Sequence, residues 1–482
     1  MSTWLLAFAL HAHAEAPAAA PSVTAGAAAE VPAPRIPYER YTLPNGLQVI
    51  LAEDHSVPFV WTNVWYYVGS KDETPGRSGF AHLFEHLMFQ GSEHSNTDYF
   101  KPLQKVGATI NGTTNLDRTN YFEGVPAEQL PLALWLESDR MGFLLPALDQ
   151  SKLDNQKAVV RNERRQRYDN VPYGQAWPLL LENVFPAGHP YHIATIGKHE
   201  EIEAASLDDV KAFFQKWYVP SNASLVVCGD FDPKTARKLV ERYFGDLPTV
   251  PRPEHAPVPA PVVLAAEKVV TATDDVPFEK VWIAWPSAAV YAQGDAELDV
   301  LSHALAGGKD SRLYRKLVQE LQVAQDVEAT QQSLTLQSMY TLEATVAPGH
   351  TGEEVLAALD AVLADVREKG VTADEVSTAR TVYEVGFHGS LATTQGKADR
   401  LNAYAFGRGE PDWVAQDLAR YAGVTPEAVQ AATRTWLPAD KRIVLRIQPE
   451  AVAPPPPPTP PPAVSPALAP AKPSQQKKKE SK

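Results

Sequence analysis

Apolar residues along this chain alternate with polar ones over short stretches and take up a helical period between them, which predicts strands and helices in succession. Tyr41-Thr-Leu43 and Leu47-Gln-Val-Ile-Leu51 flank Pro44-Asn-Gly46, and an Asn-Gly pair between two apolar runs predicts a β-hairpin. Trp61 to Val68 follows as a strand and leads into a helix within Gly79-Phe-Ala-His-Leu-Phe-Glu-His-Leu-Met-Phe-Gln-Gly91. Helical composition returns in Lys157-Ala-Val-Val-Arg-Asn-Glu-Arg-Arg-Gln-Arg-Tyr168. A proline-dense stretch, Leu247 to Pro261, then interrupts the pattern and reads as an interdomain linker. Beyond it the organisation repeats: Lys280-Val-Trp-Ile-Ala-Trp285 predicts a strand and Ala296 to Ala306 a helix. Gly307-Gly308 falls after this helix where Gln90-Gly91 falls after the first. Aligning those ends sets Asp299 opposite His82, Ser302 opposite Glu85 and His303 opposite His86. The expected organisation is one domain over 37–248, a linker over 249–262 and a degenerate second copy, without a metal site, over 263–449.

Length supports that division, because 482 residues with 44% hydrophobic content suffice for two packed interiors. The two ends read differently from the body. Trp4 to Leu10 is a short apolar stretch before Ala12-His-Ala14, so residues 1–14 read as a signal peptide. Residues 15–36 read as a disordered Ala/Pro-rich leader, and 450–482, with Pro454 to Pro458 and Lys477 to Lys479, as a disordered tail. Export to the periplasm or outside the cell is the expectation, with the cytoplasm as the alternative. Formal charge is −14, and because the tail from Ala451 holds five Lys and one Glu the remainder carries −18. Such a surface repels phosphate backbones and excludes nucleic acid as an expected partner. No apolar run reaches the roughly 18 residues of a membrane span. A single cysteine, Cys228, rules out an intrachain disulfide, and its apolar strand context predicts a buried, inert thiol.

Chemistry concentrates in His82-Leu-Phe-Glu-His86. On a helix, residues three and four apart share a face, so His82 and His86 can hold one metal while Glu85 points to the same side as a general base. A catalytic zinc takes three protein ligands and keeps one position open, so a third donor must come from elsewhere. The helical segment 157–168 offers Glu163, with 76 residues between it and His86. His189-Pro-Tyr-His192 is a weaker candidate for a second metal, because the proline favours a loop.

The inverted motif, the distant Glu163, and Met88, Phe89 and Gly91 after the motif together resemble the pitrilysin-type zinc peptidases, or inverzincins. Further stretches between Pro37 and Ile447 share the likeness. Gly107-Ala-Thr-Ile-Asn-Gly-Thr-Thr-Asn-Leu-Asp-Arg-Thr-Asn-Tyr-Phe122 resembles the active-site strand, in which the position of Asn111 contacts the substrate backbone; its bland reading is an ordinary edge strand with turn residues. Leu134 to Met141 resembles the helix that follows, with Glu137 structural. Tyr218 to Asp232 resembles the strand closing the first domain. One position departs: seven residues before Glu163 the family places a second Glu, and here Gln156 cannot carry its charge. The resemblance implies an α+β chain of two homologous-looking α/β domains, each a mostly antiparallel sheet with packed helices. It also implies one zinc held by His82, His86 and Glu163, and a small processing-peptidase-like endopeptidase that acts on peptides inside a two-chain chamber. The alternative is a non-catalytic or weakly catalytic scaffold or core subunit of such an assembly.

The family's Arg and Tyr, seven residues apart and opposite the metal, stabilise the developing oxyanion. The matching stretch here, Gln337-Ser-Met-Tyr-Thr-Leu-Glu-Ala-Thr-Val346, holds no Arg, and no Tyr follows Tyr340 before Glu353. A related subunit supplying the pair, as a heterodimer, is therefore expected, with a homodimer as the alternative. Arg312 and Tyr314, two apart, read as structural.

Overall fold

The structure, a computed structural model, describes residues 34–450. The signal and nearly all of the leader and tail expected from the sequence lie outside the described residues. The first half builds a six-stranded sheet from β1 (Glu39–Thr42), β2 (Gln48–Glu53), β3 (Phe59–Tyr66), β4 (Thr109–Thr114), β5 (Thr119–Pro126) and β6 (Ala223–Gly229), in the order β1-β2-β6-β3-β5-β4. The second half builds a five-stranded sheet from β7 (Lys268–Asp274), β8 (Lys280–Ser287), β9 (Ala324–Gln332), β10 (Ser338–Val346) and β11 (Ile443–Pro449), in the order β7-β11-β8-β10-β9. Apart from the added edge strand β1, the two orders are the same. Each sheet has a single parallel pairing, β2 with β6 and β7 with β11, and is otherwise antiparallel. The fold is α+β, with residues 248–264 between the halves carrying neither helix nor strand.

The expected hairpin forms with Glu39 opposite Leu51, and Gly46 takes a positive φ of 92° in its turn. The stretch read as one strand, Gly107 to Phe122, instead forms the hairpin β4–β5. Asn115 turns it, its side-chain oxygen accepting from the N–H groups of Asp117 at 2.8 Å and Arg118 at 2.9 Å. The repeat also differs in register from the expectation. The helices Phe80–Leu87 and Asp295–Ala306 both start at a left-handed glycine, Gly79 and Gly294. Counted from those glycines, His82, Glu85 and His86 fall on Glu297, Val300 and Leu301, two residues away from Asp299, Ser302 and His303. The second helix has 12 residues against 8, so its two ends cannot both align, and neither register supplies a pair of histidines.

Each sheet is covered on one face by helices of its own half and on the other by a helix of the opposite half. Ile50, Ala52, Val226 and Cys228 pack against Leu401, Tyr404 and Ala405 of the helix Thr394–Arg408 and Phe387 of the helix Ala373–Leu391. Reciprocally, Leu180, Leu181 and Val184 of the helix Ala176–Val184 join the cluster that holds Trp282, Ala284, Ile443, Leu445 and Ile447 of the second sheet. Burial on both faces explains why β6 is apolar almost throughout. Cys228 sits in it, and burial pushes its thiol up to about 12, as the sequence context predicts. Polar bonds also tie the halves together. The Asp117 carboxylate, at the tip of the β4–β5 hairpin, accepts from the Tyr191 hydroxyl at 2.5 Å, from the Thr335 N–H at 3.0 Å and from the Thr335 hydroxyl.

Candidate metal centre

The helix Phe80–Leu87 is placed by its apolar side. Phe80, Leu83, Phe84 and Leu87, three and four apart, are buried, with Phe84 stacked on Phe213 at 5.4 Å. Its start is fixed by Gly79, whose φ is 84°; a Cβ there would meet the Ile202 side chain at 2.7 Å and the Ile196 carbonyl at 2.9 Å. The Glu73 carboxylate accepts from the N–H groups of Gly79 and Ala81, both at 2.9 Å, and so caps this terminus. Burial pushes Glu73 up to about 8, although the two N–H groups oppose that shift.

With the helix fixed, His82 and His86 stand on one face with ring centroids 4.8 Å apart and planes at 89°. Glu163 reaches them from the helix Gln150–Arg164, which Asp149 caps through the Lys152 N–H. The Glu163 carboxylate oxygens lie 3.5 Å from His82 Nε2 and 2.9 Å from His86 Nε2. The three donor groups all fall within 4.8 Å of one another, and among the described residues they are the only such cluster. Burial alone would raise the Glu163 carboxyl, but the facing imidazoles outweigh it and hold the group well below the usual glutamate range. His86 Nε2 is buried and finds no hydrogen-bond partner, its contact with Glu163 being out of line for a bond. Ligands about 2.1 Å from a tetrahedral zinc stand roughly 3.4 Å apart, so the donor spacing, the donor types and the orphaned nitrogen fit a zinc ion. His82 Nδ1 is likewise buried without a partner, and Gln156, buried two turns before Glu163 on the same side of its helix, does not supply one.

Other sequence candidates separate from this cluster. Asn111 lies exposed on β4, the free edge strand, and its side chain accepts only the neighbouring Gly112 N–H at 2.9 Å. His189 and His192 turn to local backbone, accepting from the Tyr191 N–H and contacting the Phe185 carbonyl at 2.8 Å, and join no third donor. Asp299 accepts from the Tyr421 hydroxyl at 2.6 Å, and Ser302 bonds the Leu298 carbonyl at 2.9 Å. Arg312 is engaged by both oxygens of Glu375 at 2.7 Å, a structural role. Glu137 is fully buried against Arg140, which also binds Glu123 at 2.9 Å, and burial raises the Glu137 carboxyl. Sequence reasoning missed Glu73, because no spacing rule links a loop acid to a helix start six residues on.

A helix presenting an inverted zinc-peptidase motif against a distant glutamate, on a duplicated α+β frame, defines the class. The family model described as Insulinase (Peptidase family M16) matches residues 48–185, and that described as Peptidase M16 inactive domain matches residues 204–383. The chain belongs to this pitrilysin-type, M16, peptidase family. Among its relatives, the zinc protease PqqE of Helicobacter pylori is 28% identical over 389 residues, covering 79% of this chain and 86% of that protein. An uncharacterized zinc protease of Streptomyces coelicolor is 26% identical over 407 residues, covering 83% and 87%. The crystal structure of a protease from Helicobacter pylori superposes with a TM-score of 0.79 at 24% identity, covering 86% of this chain and all of that one. No helix among the described residues is long and apolar enough to cross a membrane.

Proposed function

We propose that the chain is a zinc-dependent endopeptidase acting on peptides or short unfolded segments, with one zinc held by His82, His86 and Glu163. The observation that carries this reading is the convergence of those three donors around a buried imidazole nitrogen without a partner. Zinc, when bound, lowers the pKa of water toward about 7 and polarises the scissile carbonyl. Glu85, about one turn after His82 and next to His86 in the chain, takes the proton from water and returns it to the leaving amine. The free edge of β4 offers unpaired backbone groups on which an extended peptide adds as a further strand, with Asn111 at hand to its backbone. Since β10 carries no arginine, the Arg and Tyr that stabilise the oxyanion come from a related subunit that closes a two-chain chamber, with a homodimer as the other arrangement. A periplasmic or secreted location is our reading of the N-terminal stretch.

Metal analysis and cleavage of a quenched peptide, with and without the related subunit, test the assignment. Glu85→Gln is expected to keep zinc and lose cleavage by roughly 10²-fold or more, the contribution of a general base. Glu163→Gln is expected to lose zinc. Wild-type cleavage by Glu85→Gln, or full zinc in Glu163→Gln, would overturn the roles. The family model described as an inactive domain covers only the second half and leaves the scaffold alternative standing, which predicts zinc binding without cleavage even when the related subunit is present.

A further inference from the structure

Behind the β4–β5 hairpin lies a cavity of about 470 Å³ that the metal centre does not use. Thr113, Arg118 and Asn120 of the hairpin form one wall, and Ser390, Asp399 and Arg400 from the second half form the other. Thr113 pairs with Asn120 and Asn111 with Phe122, so these side chains share one sheet face. The alternate pair, Gly112 and Tyr121, turns to the opposite face, against Phe89 beyond the metal helix.

Hydrogen bonds run from wall to wall. Arg118 Nη1 donates to the Thr113 carbonyl at 2.9 Å and to its hydroxyl at 2.6 Å; that hydroxyl donates to Asn120 at 2.5 Å. Asn120 donates to Asn63 at 3.4 Å, and Asn63 donates to Asp399. Both arginines keep unused donor capacity. Arg118 Nε is buried without a partner, although its guanidinium lies 4.9 Å over the Trp65 ring. Arg400 reaches Ser390 only at 3.4 Å and Asp417 at 3.7 Å. Burial pulls Arg118 below the ordinary arginine range, opposed by Asp399, Glu85 and Asp117. A buried guanidinium with a free donor costs stability, and an anion beside the accessible end of the same guanidinium offsets that cost.

We propose that this cavity is a carboxylate-binding subsite in which Arg118, backed by Arg400, receives an acidic side chain or the terminal carboxylate of a peptide laid along β4. The proposal rests on the peptidase reading above. A strand added to the free edge alternates its side chains between the two faces, and those on the side of Asn111 and Thr113 run toward the cavity wall. Guanidinium donors match a carboxylate in geometry as well as charge. Asp399 tempers the two arginines, so the lining charges favour a single carboxylate over a cationic side chain.

Fluorescence-anisotropy titration of labelled ten-residue peptides tests this. The peptides carry one Glu moved through the sequence, Gln at the same positions, and a free or amidated C terminus; the full chain with Glu85→Gln prevents their consumption. The expected result is about tenfold tighter binding for Glu over Gln at one position, which assigns a side chain, or for acid over amide, which assigns the terminus. Arg118→Gln should abolish the preference and Arg118→Lys retain part of it. Asp399→Asn, which leaves the Arg118 bonds to Thr113 in place, should widen it. Equal binding of all peptides, or a preference that survives Arg118→Gln, overturns the subsite and leaves the peptidase reading standing. Binding by none of them, with the related subunit present as well as absent, overturns both.

Discussion

Replacing Gly79 by alanine isolates what holds the metal helix in place. The backbone there has a φ of 84°, a left-handed conformation that costs an L-residue about 1–2 kcal/mol. The new Cβ would also sit 2.9 Å from the Ile196 carbonyl oxygen and 2.7 Å from Ile202 Cδ1. Moving backbone to relieve such overpacking typically adds about 1–3 kcal/mol. Gly76, with a φ of 80° and nothing within 4 Å, is the matched control, since alanine there meets only the first term. Because His82 lies three residues after Gly79, the strain displaces a ligand, and zinc affinity should fall for Gly79→Ala but not for Gly76→Ala. Chemical denaturation and zinc titration against a chromophoric chelator measure both effects. Equal stability losses in the two variants, or unchanged zinc affinity in Gly79→Ala, would refute the argument that close packing at this glycine sets the helix.

Two further substitutions probe buried charge. Arg140→Met leaves the carboxylates of Glu123 and Glu137 buried without their partner and should cost about 3–5 kcal/mol by urea denaturation, whereas adding Glu123→Gln and Glu137→Gln should recover part of the loss. Asp54 meets Lys397 of the opposite half; burial opposes its charge, but the lysine and Ser56 hold its carboxyl down at about 2 against an ordinary 3.8. A depressed carboxyl stabilises above its unfolded pKa and loses that contribution as pH falls through its folded one, here between about pH 4 and 2. Asp54→Asn should therefore cost on the order of 1–2 kcal/mol at pH 7, after discounting for solvent, and only a few tenths of a kcal/mol at pH 2, where the folded-state carboxyl is half protonated. An equal deficit at both pH values would contradict the pairing.

The metal helix was legible because its signals are local: an apolar period, two histidines four apart and a glycine on either side. Glu163 lies on another helix, and only a family spacing pointed to it. The hairpin at Asn111 was read as one strand although Asn115 two residues before Asp117 is itself a turn signal, since Asn side chains close such turns on their own backbone. Register in the repeat depends on which helix end is aligned, because a helix length is set by tertiary packing, and two glycines after a helix do not reveal where it began. Glu73, the Asp117 joint and the Arg118 cavity join residues far apart in sequence, and no periodicity encodes them.

The exchange of helices between the halves sets an order of events on the ribosome. The first sheet is complete once Gly229 has been made, yet Ile50, Ala52, Val226 and Cys228 wait for Leu401 and Tyr404 to cover them. At about 5–20 residues per second that interval lasts roughly 10–30 s, during which a sticky sheet face stands open on the nascent chain. The reciprocal exchange also describes how an ancestral single-copy chain could have been stable: as a dimer of two copies, each lending a helix to the other, before duplication joined them into one polypeptide.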